Sequence, residues 1–338
     1  MKNNHSKKMK VVLLSTLTII TMLVAAYSIN AQYFNERSIK AQLMMDVFRL
    51  LEGNNYGPSQ ISSLELAEAF MDEKQEGEAV KYIPSSVMLK EKFVVDSFGE
   101  TDVYRFNVNE NEKTDKLIYL HGGGNVNEIM DEHIELALHL GQELNYEVII
   151  PIFPLVPYVK AEQMFEELLL MYSNLSNSWS DEKIILMGDS AGGGLSLSLA
   201  QQIRDKKMYQ TSKIVLISPW VDISMSNPLI LESLDERDYM LAAKALTLLG
   251  EYWRGIYEAN NPIVSPIYGD LREVGEIILV AGSEEVLLAD VHKLVLKMDR
   301  KNIAYKYYEY ENMFHAFPVF GLPESKDAID IIINDLRD

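Results

Sequence analysis

Cysteine is absent from all 338 residues of the sequence. Without it the chain can build no disulfide scaffold, no thiol nucleophile, no zinc ribbon and no cysteine-ligated iron–sulfur cluster. The sequence also lacks the cysteine that a lipid-modified leader requires. Any chemistry therefore has to come from other side chains.

Positive charge is scarce as well: 31 lysines and arginines stand against 50 acidic residues, which gives a net charge of −19. Nucleic acid is not an expected partner, because its affinity for proteins depends largely on phosphate neutralisation. An anionic membrane is an equally poor match for the folded body. With 48% apolar residues, the chain can bury a large core, and the composition predicts an acidic globular protein.

The first 31 residues form a separate segment. Four lysines within the first ten residues precede an uncharged run at residues 11–29. This layout is typical of a secretory signal peptide with Ala31 before the cleavage point, but the run is also long enough for an N-terminal membrane anchor. Both interpretations place the body outside the cytoplasm, since the positive flank stays inside. Both interpretations confine membrane contact to this segment. It holds four lysines and no acidic residue, so its removal changes the net charge of the remaining chain from −19 to −23.

Beyond residue 85, short apolar strands alternate with amphipathic helices. The predicted strands cover residues 92–98, 102–108, 116–120, 147–150, 183–187, 213–217, 276–280 and 303–309. This alternation predicts an α/β fold for residues 86–338, with a mostly parallel eight-stranded sheet flanked by helices. Residues 32–85 show a helical period. The insertion at residues 222–272 also looks helical, and an insertion of this length is often a lid.

A candidate nucleophile follows the fifth predicted strand. Residues 188–192 read Gly-Asp-Ser-Ala-Gly, which matches the G-x-S-x-G nucleophile elbow. A serine on such a strand–turn–helix is exposed above the sheet, and the helix that begins at Ser190 directs its N-terminal dipole at the site. The pattern predicts Ser190 as the nucleophile; the alternative is a structural glycine turn.

A glycine run follows the third predicted strand. His121 is succeeded by Gly122, Gly123 and Gly124, whose backbone N–H groups can approach a substrate closely. An oxyanion hole is the natural use of such groups, completed by the N–H of Ala191 after the nucleophile. A phosphate-binding loop is the alternative, but no dinucleotide or P-loop glycine pattern accompanies the run. We expect His121 and Gly122 to support the loop.

The general base has to be one of six histidines. His133, His139 and His292 fall within predicted helices, where surface or packing roles are simplest. His315 follows the last strand and a short loop, and loops at the carboxyl ends of strands collect the groups of an α/β site. The chain order serine, acid, histidine also suits an α/β hydrolase. We therefore predict His315 as the base.

The acid is expected after the strand at residues 276–280. Glu284, Glu285 and Asp290 all follow it, and any of them could orient an imidazole. Position favours Glu285 or Glu284, because Asp290 lies a turn into the next helix. Position does not choose between the two glutamates.

The chain resembles the hormone-sensitive-lipase-like branch of the α/β hydrolases, which includes bacterial acetyl esterases and other short-chain carboxylesterases. The resemblance rests on His-Gly-Gly-Gly at residues 121–124 and Gly-Asp-Ser-Ala-Gly-Gly at residues 188–193. It implies the triad Ser190, Glu285 and His315, because Gly282 and Leu287 match the family's Gly-x-x-Asp-Pro-Leu pattern around its acid. It also implies oxyanion donors at Gly123, Gly124 and Ala191, and a cap built from residues 36–81 and 222–272.

Two departures from the family concern substrate preference. Phe153 and Pro154 replace the usual Tyr-Arg stretch, as in members similar to steryl-acetate deacetylases, and Asn125 stands where an aromatic residue is common. The resemblance implies a serine esterase acting on a small acyl ester, with no cofactor and no metal. A specialised deacetylase or lipase, an amidase or peptidase with the same triad, and a catalytically silent binding protein are the alternatives. Neither the physiological ester nor the oligomeric state follows from the sequence.

Overall fold

The fold is a central eight-stranded sheet with helices on both faces. It is seen in a computed structural model that describes residues 20–52, 62–77, 82–108, 114–230 and 234–338. Residues 1–19, which hold most of the predicted leader, lie outside this description. Among the described residues, no helix combines the length and apolarity needed to cross a bilayer.

The strands match the predicted positions closely. In chain order they are β1 (Phe93–Phe98), β2 (Thr101–Phe106), β3 (Lys116–Leu120), β4 (Glu147–Ile152), β5 (Ile184–Asp189), β6 (Lys213–Ile217), β7 (Glu276–Gly282) and β8 (Tyr305–Tyr310). Their spatial order is β1-β2-β4-β3-β5-β6-β7-β8. Strand β2 runs antiparallel to both of its neighbours, and the remaining pairs are parallel. The predicted mostly parallel sheet is therefore confirmed.

The helices cover the sheet and build the cap. They are α1 (Ile39–Glu52), α2 (Leu64–Glu76), α3 (Asp131–Leu144), α4 (Ala161–Ser176), α5 (Ser190–Asp205), α6 (Ala243–Trp253), α7 (Leu288–Lys301) and α8 (Pro323–Arg337). Residues 20–29 are also helical and continue into a π-helical turn, Asn30–Phe34. Helix α2 packs against α6, so the two predicted cap segments are in contact.

Both faces of the sheet are buried, as the continuous apolar strands require. Side chains of a strand alternate between faces, and in β3 Ile118 and Leu120 pack into one core while Leu117 and Tyr119 pack into the other. The helices therefore cover both faces, and the site can form only at an edge where strands end.

The insertion at residues 222–272 is only partly helical, in contrast to the prediction. Helix α6 is its one long helix among the described residues; most of the rest consists of turns. Polar side chains bind the backbone there: Asp222 accepts from Ser224 N–H, and Asp238 accepts from the N–H groups of Met240 and Leu241. Such local hydrogen bonds compete with helix formation.

Helices α1 and α8 are joined directly at their N-terminal ends. The carboxylate of Glu324, at the start of α8, accepts hydrogen bonds from the backbone N–H and the hydroxyl of Ser38, at 2.5 and 2.8 Å. Lys40 donates to the carbonyl of Gly321 nearby. Helix α1 is thus fixed to the body beside the loop that follows β8.

Candidate active site

Ser190 lies at the junction of β5 and α5, in the left-handed region with φ of 53°. This conformation is strained for a residue with a Cβ, and it holds the side chain at the carboxyl edge of the sheet. The turn is also tightly packed: a Cβ on Gly192 would lie 1.9 Å from the carbonyl oxygen of Leu120. The structure therefore explains why small residues surround this serine.

His315 is hydrogen-bonded to one of the three candidate acids, Glu285. Its Nδ1 donates to Glu285 Oε2 at 2.7 Å, and Glu285 Oε1 accepts from Gly282 N–H at 3.1 Å. Because the acceptor is a carboxylate, the proton is on Nδ1 and Nε2 is left as an acceptor. The arrangement is the one that orients an imidazole for taking a proton from a nucleophile.

The other two acids lie elsewhere. Asp290 is buried in α7, where its Oδ1 accepts from the side chain of Asn227. Glu284 is bonded through its backbone N–H to the carbonyl of Met313, and no hydrogen bond joins its side chain to His315 among the contacts of the described residues.

The electrostatics of His315 reflect its partner. Burial alone would lower the pKa of this imidazole, but the hydrogen bond to Glu285 and the charge of that carboxylate outweigh burial, with smaller contributions from Asp238 and Asp189. The pKa of His315 is therefore raised above its ordinary value. A neighbouring hydrogen bond also fixes the backbone next to His315: Ser218 Oγ accepts the N–H of Ala316 at 3.0 Å.

Ser190 and His315 border the same cavity, which has a volume of about 400 Å³. No hydrogen bond joins the two side chains in the part of the chain that the structure describes; in sites of this kind the contact often tightens only when substrate binds. The cavity walls are largely apolar, and they include Phe48, Met130, Met240, Leu241, Val319 and Phe320. An apolar cavity beside a serine and a histidine suits the acyl chain of an ester.

The glycine run borders the cavity from the end of β3, the parallel neighbour of β5. Gly123 lines it and has φ of 106°, which residues with a Cβ rarely adopt. Gly124, with φ of 65°, continues the turn. Ala191 is the second residue of α5, so helix geometry leaves its N–H without an intrahelical partner. These three residues are the predicted oxyanion donors, and the fold brings their turn and helix to the site of Ser190.

Asp189 holds the glycine run in place. Its Oδ1 accepts from the Tyr119 hydroxyl at 2.7 Å and from Gly122 N–H at 3.0 Å, and its Oδ2 lies 3.3 Å from His133 Nε2. Burial would raise the pKa of Asp189, but the attraction of His133 and these hydrogen bonds outweigh burial and lower the pKa to about 2. Asp189 is thus an ionised clamp between the elbow and the glycine run.

His121 supports the same run, as predicted for it. Its Nδ1 donates to the carbonyl of Gly122 at 2.7 Å, and its ring stacks on Phe153 at 4.5 Å with an angle of 6° between the planes. Burial, together with repulsion from His133, lowers the pKa of His121 to about 4, so its ring is neutral near pH 7. Phe153, one of the departures from the family pattern, is therefore the platform for this loop histidine.

Sequence reasoning did not identify four side chains of this site: Asp189, Tyr119, His133 and Asp238. Asp189 lies inside the elbow motif, so the motif itself contained a signal. The sequence predicts a surface or packing role for His133; it is buried, as a packing residue would be, and it also borders the cavity and accepts the Met130 N–H at the start of α3. Asp238 lies in the cap insertion, and its contact with the acid turn depends on tertiary structure alone.

His139 and His292 behave as expected. His139 is exposed on α3, and His292 pairs on the surface with Glu309 at 2.7 Å. His5 lies outside the described residues.

Comparisons with known proteins agree with this architecture. A family model described as the alpha/beta hydrolase fold matches residues 117–319. An acetyl-hydrolase of Streptomyces hygroscopicus is 28% identical over 218 residues, which cover 64% of this chain and 73% of the relative. An esterase of Acinetobacter venetianus is 26% identical over 223 residues, 64% of this chain and 72% of the relative.

A solved structure gives the same picture of the fold. It is an esterase from the bacterial hormone-sensitive lipase family, 21% identical, and it superposes with a TM-score of 0.70 over 87% of this chain and 97% of that chain. At this identity the likeness concerns the fold. With more than half of the sequence matched by the family model and an elbow, a glycine run and a histidine–carboxylate pair gathered at one edge of the sheet, the chain belongs to the α/β hydrolase family.

Proposed function

We propose that the chain is a serine carboxylesterase that hydrolyses short- to medium-chain acyl esters through an acyl-enzyme. The observation that carries this proposal is the 2.7 Å hydrogen bond between His315 and Glu285 at the cavity that Ser190 borders. The esterases and acetyl-hydrolases among its relatives support the reaction class. The apolar cavity supports an acyl substrate.

In the first step, His315 Nε2 takes the proton of Ser190 as the serine oxygen attacks the ester carbonyl carbon. The resulting oxyanion accepts hydrogen bonds from the N–H groups of Gly123, Gly124 and Ala191. The intermediate collapses, and His315 gives its proton to the departing alcohol. Glu285 stays ionised throughout and stabilises the imidazolium.

In the second step, His315 removes a proton from water, which attacks the acyl carbon of the acyl-enzyme. The tetrahedral intermediate again uses the same donors, and its collapse returns the proton to Ser190 and releases the acid. The Asp189 clamp keeps the glycine run in one position for both steps, which is what a preorganised oxyanion hole requires.

The test compares the full chain with Ser190→Ala on p-nitrophenyl acetate, butyrate and octanoate near pH 8. We expect the variant to lose activity by about 10³-fold or more, since the nucleophile is removed. Ser196→Ala is the matched control, because Ser196 lies nearly two turns along the same helix and its hydroxyl donates to the carbonyl of Gly192. A folded wild type no more active than Ser190→Ala would overturn the proposal and favour a binding protein.

A further inference from the structure

The helical segment at residues 20–29 is mostly apolar, and Thr21, Tyr27 and Ser28 are its polar side chains. It contains no charged residue, and its large apolar side chains are each at least half exposed: Ile20, Met22, Leu23, Val24 and Ile29. A helix whose exposed surface is mainly apolar is normally found in a protein core or in lipid. This segment therefore has the surface of a lipid-contacting element.

The segment is also part of the folded body. The Tyr27 hydroxyl donates to Asp46 Oδ2 on α1 at 2.7 Å, and Ala31 is completely buried. Burial, reinforced by the Asp46 carboxylate, raises the pKa of Tyr27 to about 12. Cleavage after Ala31 would remove these contacts, so a role for this segment requires that residues 20–31 are retained.

Helix α1 continues the same apolar surface. Ile39, Leu43 and Val47 are 42 to 57% exposed, and their spacing of four residues places them on one face of the helix. Asp46, which binds Tyr27, lies beside this face. The exposed stripe of α1 is thus adjacent to the apolar segment at residues 20–29.

The opposite face of α1 reaches the active site. Phe48 lines the cavity that Ser190 and His315 border, and its ring packs edge-on against Phe314 at 5.4 Å. The Arg49 guanidinium lies 4.8 Å from the ring centre of Tyr239 in the cap. One helix, about 10 Å thick, therefore separates the cavity from the exposed stripe.

We propose that residues 20–31 and the Ile39–Leu43–Val47 stripe of α1 form one lipid-contacting surface, which holds the cavity at a membrane and supplies it with esters dissolved in lipid. The occupant is a lipid surface, because residues 20–29 belong to an uncharged run at residues 11–29 that has the length of a membrane anchor. The substrate class rests on the proposed esterase function. The lipid surface itself does not.

The binding test uses the absence of cysteine, since a single introduced cysteine can be labelled selectively. Full chains carrying Val47→Cys or Leu296→Cys are labelled with a polarity-sensitive fluorophore and mixed with phosphatidylcholine vesicles. Leu296 is the control, because it is an apolar residue on α7 that is at least as exposed as Val47. We expect a blue shift and protection from iodide quenching at position 47 and no change at position 296.

Several results would overturn the surface proposal. One is a label at position 47 that iodide quenches equally with and without vesicles. Another is a label that is shielded before vesicles are added and released on dilution, which would show that a second copy of the chain covers the stripe. A mature protein whose mass begins at residue 32 would also refute it. None of these readouts depends on enzymatic activity.

The substrate test uses Leu43→Gln/Val47→Gln. We expect it to hydrolyse an octanoate ester dissolved in the vesicles about tenfold more slowly than the wild type, since the two half-exposed aliphatic side chains together favour lipid contact by about that factor. Hydrolysis of p-nitrophenyl acetate in solution should be unchanged. Equal rates of the two proteins on the vesicle ester would refute delivery from lipid, and a wild type inactive on both esters would refute the esterase proposal alone.

Discussion

The carboxylate of Asp238, in the cap, accepts a hydrogen bond from the backbone N–H of Val286 at 2.9 Å, one residue after Glu285. Its other oxygen accepts from the N–H groups of Met240 and Leu241, which line the cavity. Burial raises the pKa of Asp238 to about 6, against the attraction of His315 and these hydrogen bonds. One carboxylate thus ties the cavity wall to the turn that carries the acid.

Asp238→Asn should lower kcat/KM by about tenfold or more. The amide has only one oxygen, so it cannot accept from Val286 N–H and also from the N–H groups of Met240 and Leu241. Hydrogen bonds to a charged acceptor contribute about 1.5–3 kcal/mol. Steady-state kinetics on p-nitrophenyl butyrate measure the effect. Asp235→Asn is the matched control: Asp235 caps Ala243 N–H in the same cap without touching the acid turn. Equal losses in both variants would assign the effect to cap stability instead.

Glu285→Gln should lower kcat by about 10⁴-fold, since the amide neither holds the tautomer of His315 nor stabilises its protonated form. The base must be neutral, so activity rises with pH through the pKa of His315, which Glu285 raises. Without that charge, burial dominates, and the rising limb of kcat/KM against pH should move to lower pH. Asp290→Asn should leave the profile in place; a shift there would make Asp290 the acid.

Tyr119→Phe should lower kcat several-fold, because Asp189 loses one of the three groups that hold it against the glycine run. The free energy of unfolding should fall by about 1–3 kcal/mol, as for other buried partners left unpaired. Tyr172→Phe is the control, since its buried hydroxyl bonds the carbonyl of Tyr209 away from the site. It should lose stability in urea unfolding but retain kcat.

Gly123→Ala should lower kcat by about 10²–10³-fold with little change in KM, since an oxyanion donor contributes that much. A Cβ at this position would lie 3.0 Å from Asn127 and would force φ away from 106°. Gly321→Ala tests the strain alone, because Gly321 has φ of 60° with nothing near its Cβ position. A comparable loss of kcat in Gly321→Ala would remove the argument for the donor.

The strands were the most predictable part of the fold. Residues 116–120 and 213–217 were predicted to the residue, because their apolar runs are bounded by polar residues. Strand β7 extends beyond the predicted Val280 to Gly282, since Gly282 pairs with Tyr310 on β8. That pairing depends on a neighbouring strand, and the pattern of one segment does not contain it.

The first residue of a helix was less predictable where hydrogen bonds from side chains or from a neighbouring turn determine it. The helix after the glycine run begins at Asp131, because Asn127 N–H binds the carbonyl of Gly123 and His133 caps Met130 N–H. These are tertiary and capping contacts around the glycine run, and a helical period does not reveal them.

The residues of the candidate site likewise fall into those that local motifs predict and those that only the tertiary structure reveals. Ser190 and the glycine run could be predicted from local sequence motifs. Their backbone conformations require glycine at or next to these positions, and those glycines are visible in the sequence. The choice among Glu284, Glu285 and Asp290 needed the geometry of one turn, since all three follow the same strand. Asp238 lies 47 residues before Glu285 in the sequence, and no local pattern connects the two.

The bond between Ser38 and Glu324 joins residues 286 positions apart, and α1, which it fixes, carries one wall of the cavity. Contacts between such distant parts of a chain form late, because the entropy of closing a long loop must be lost first. A nascent chain gains this anchor of the wall only after α8 has been synthesised. A truncated chain that lacks its last helix would keep the motifs around Ser190 but would lose the hydrogen bonds that fix α1 beside the cavity.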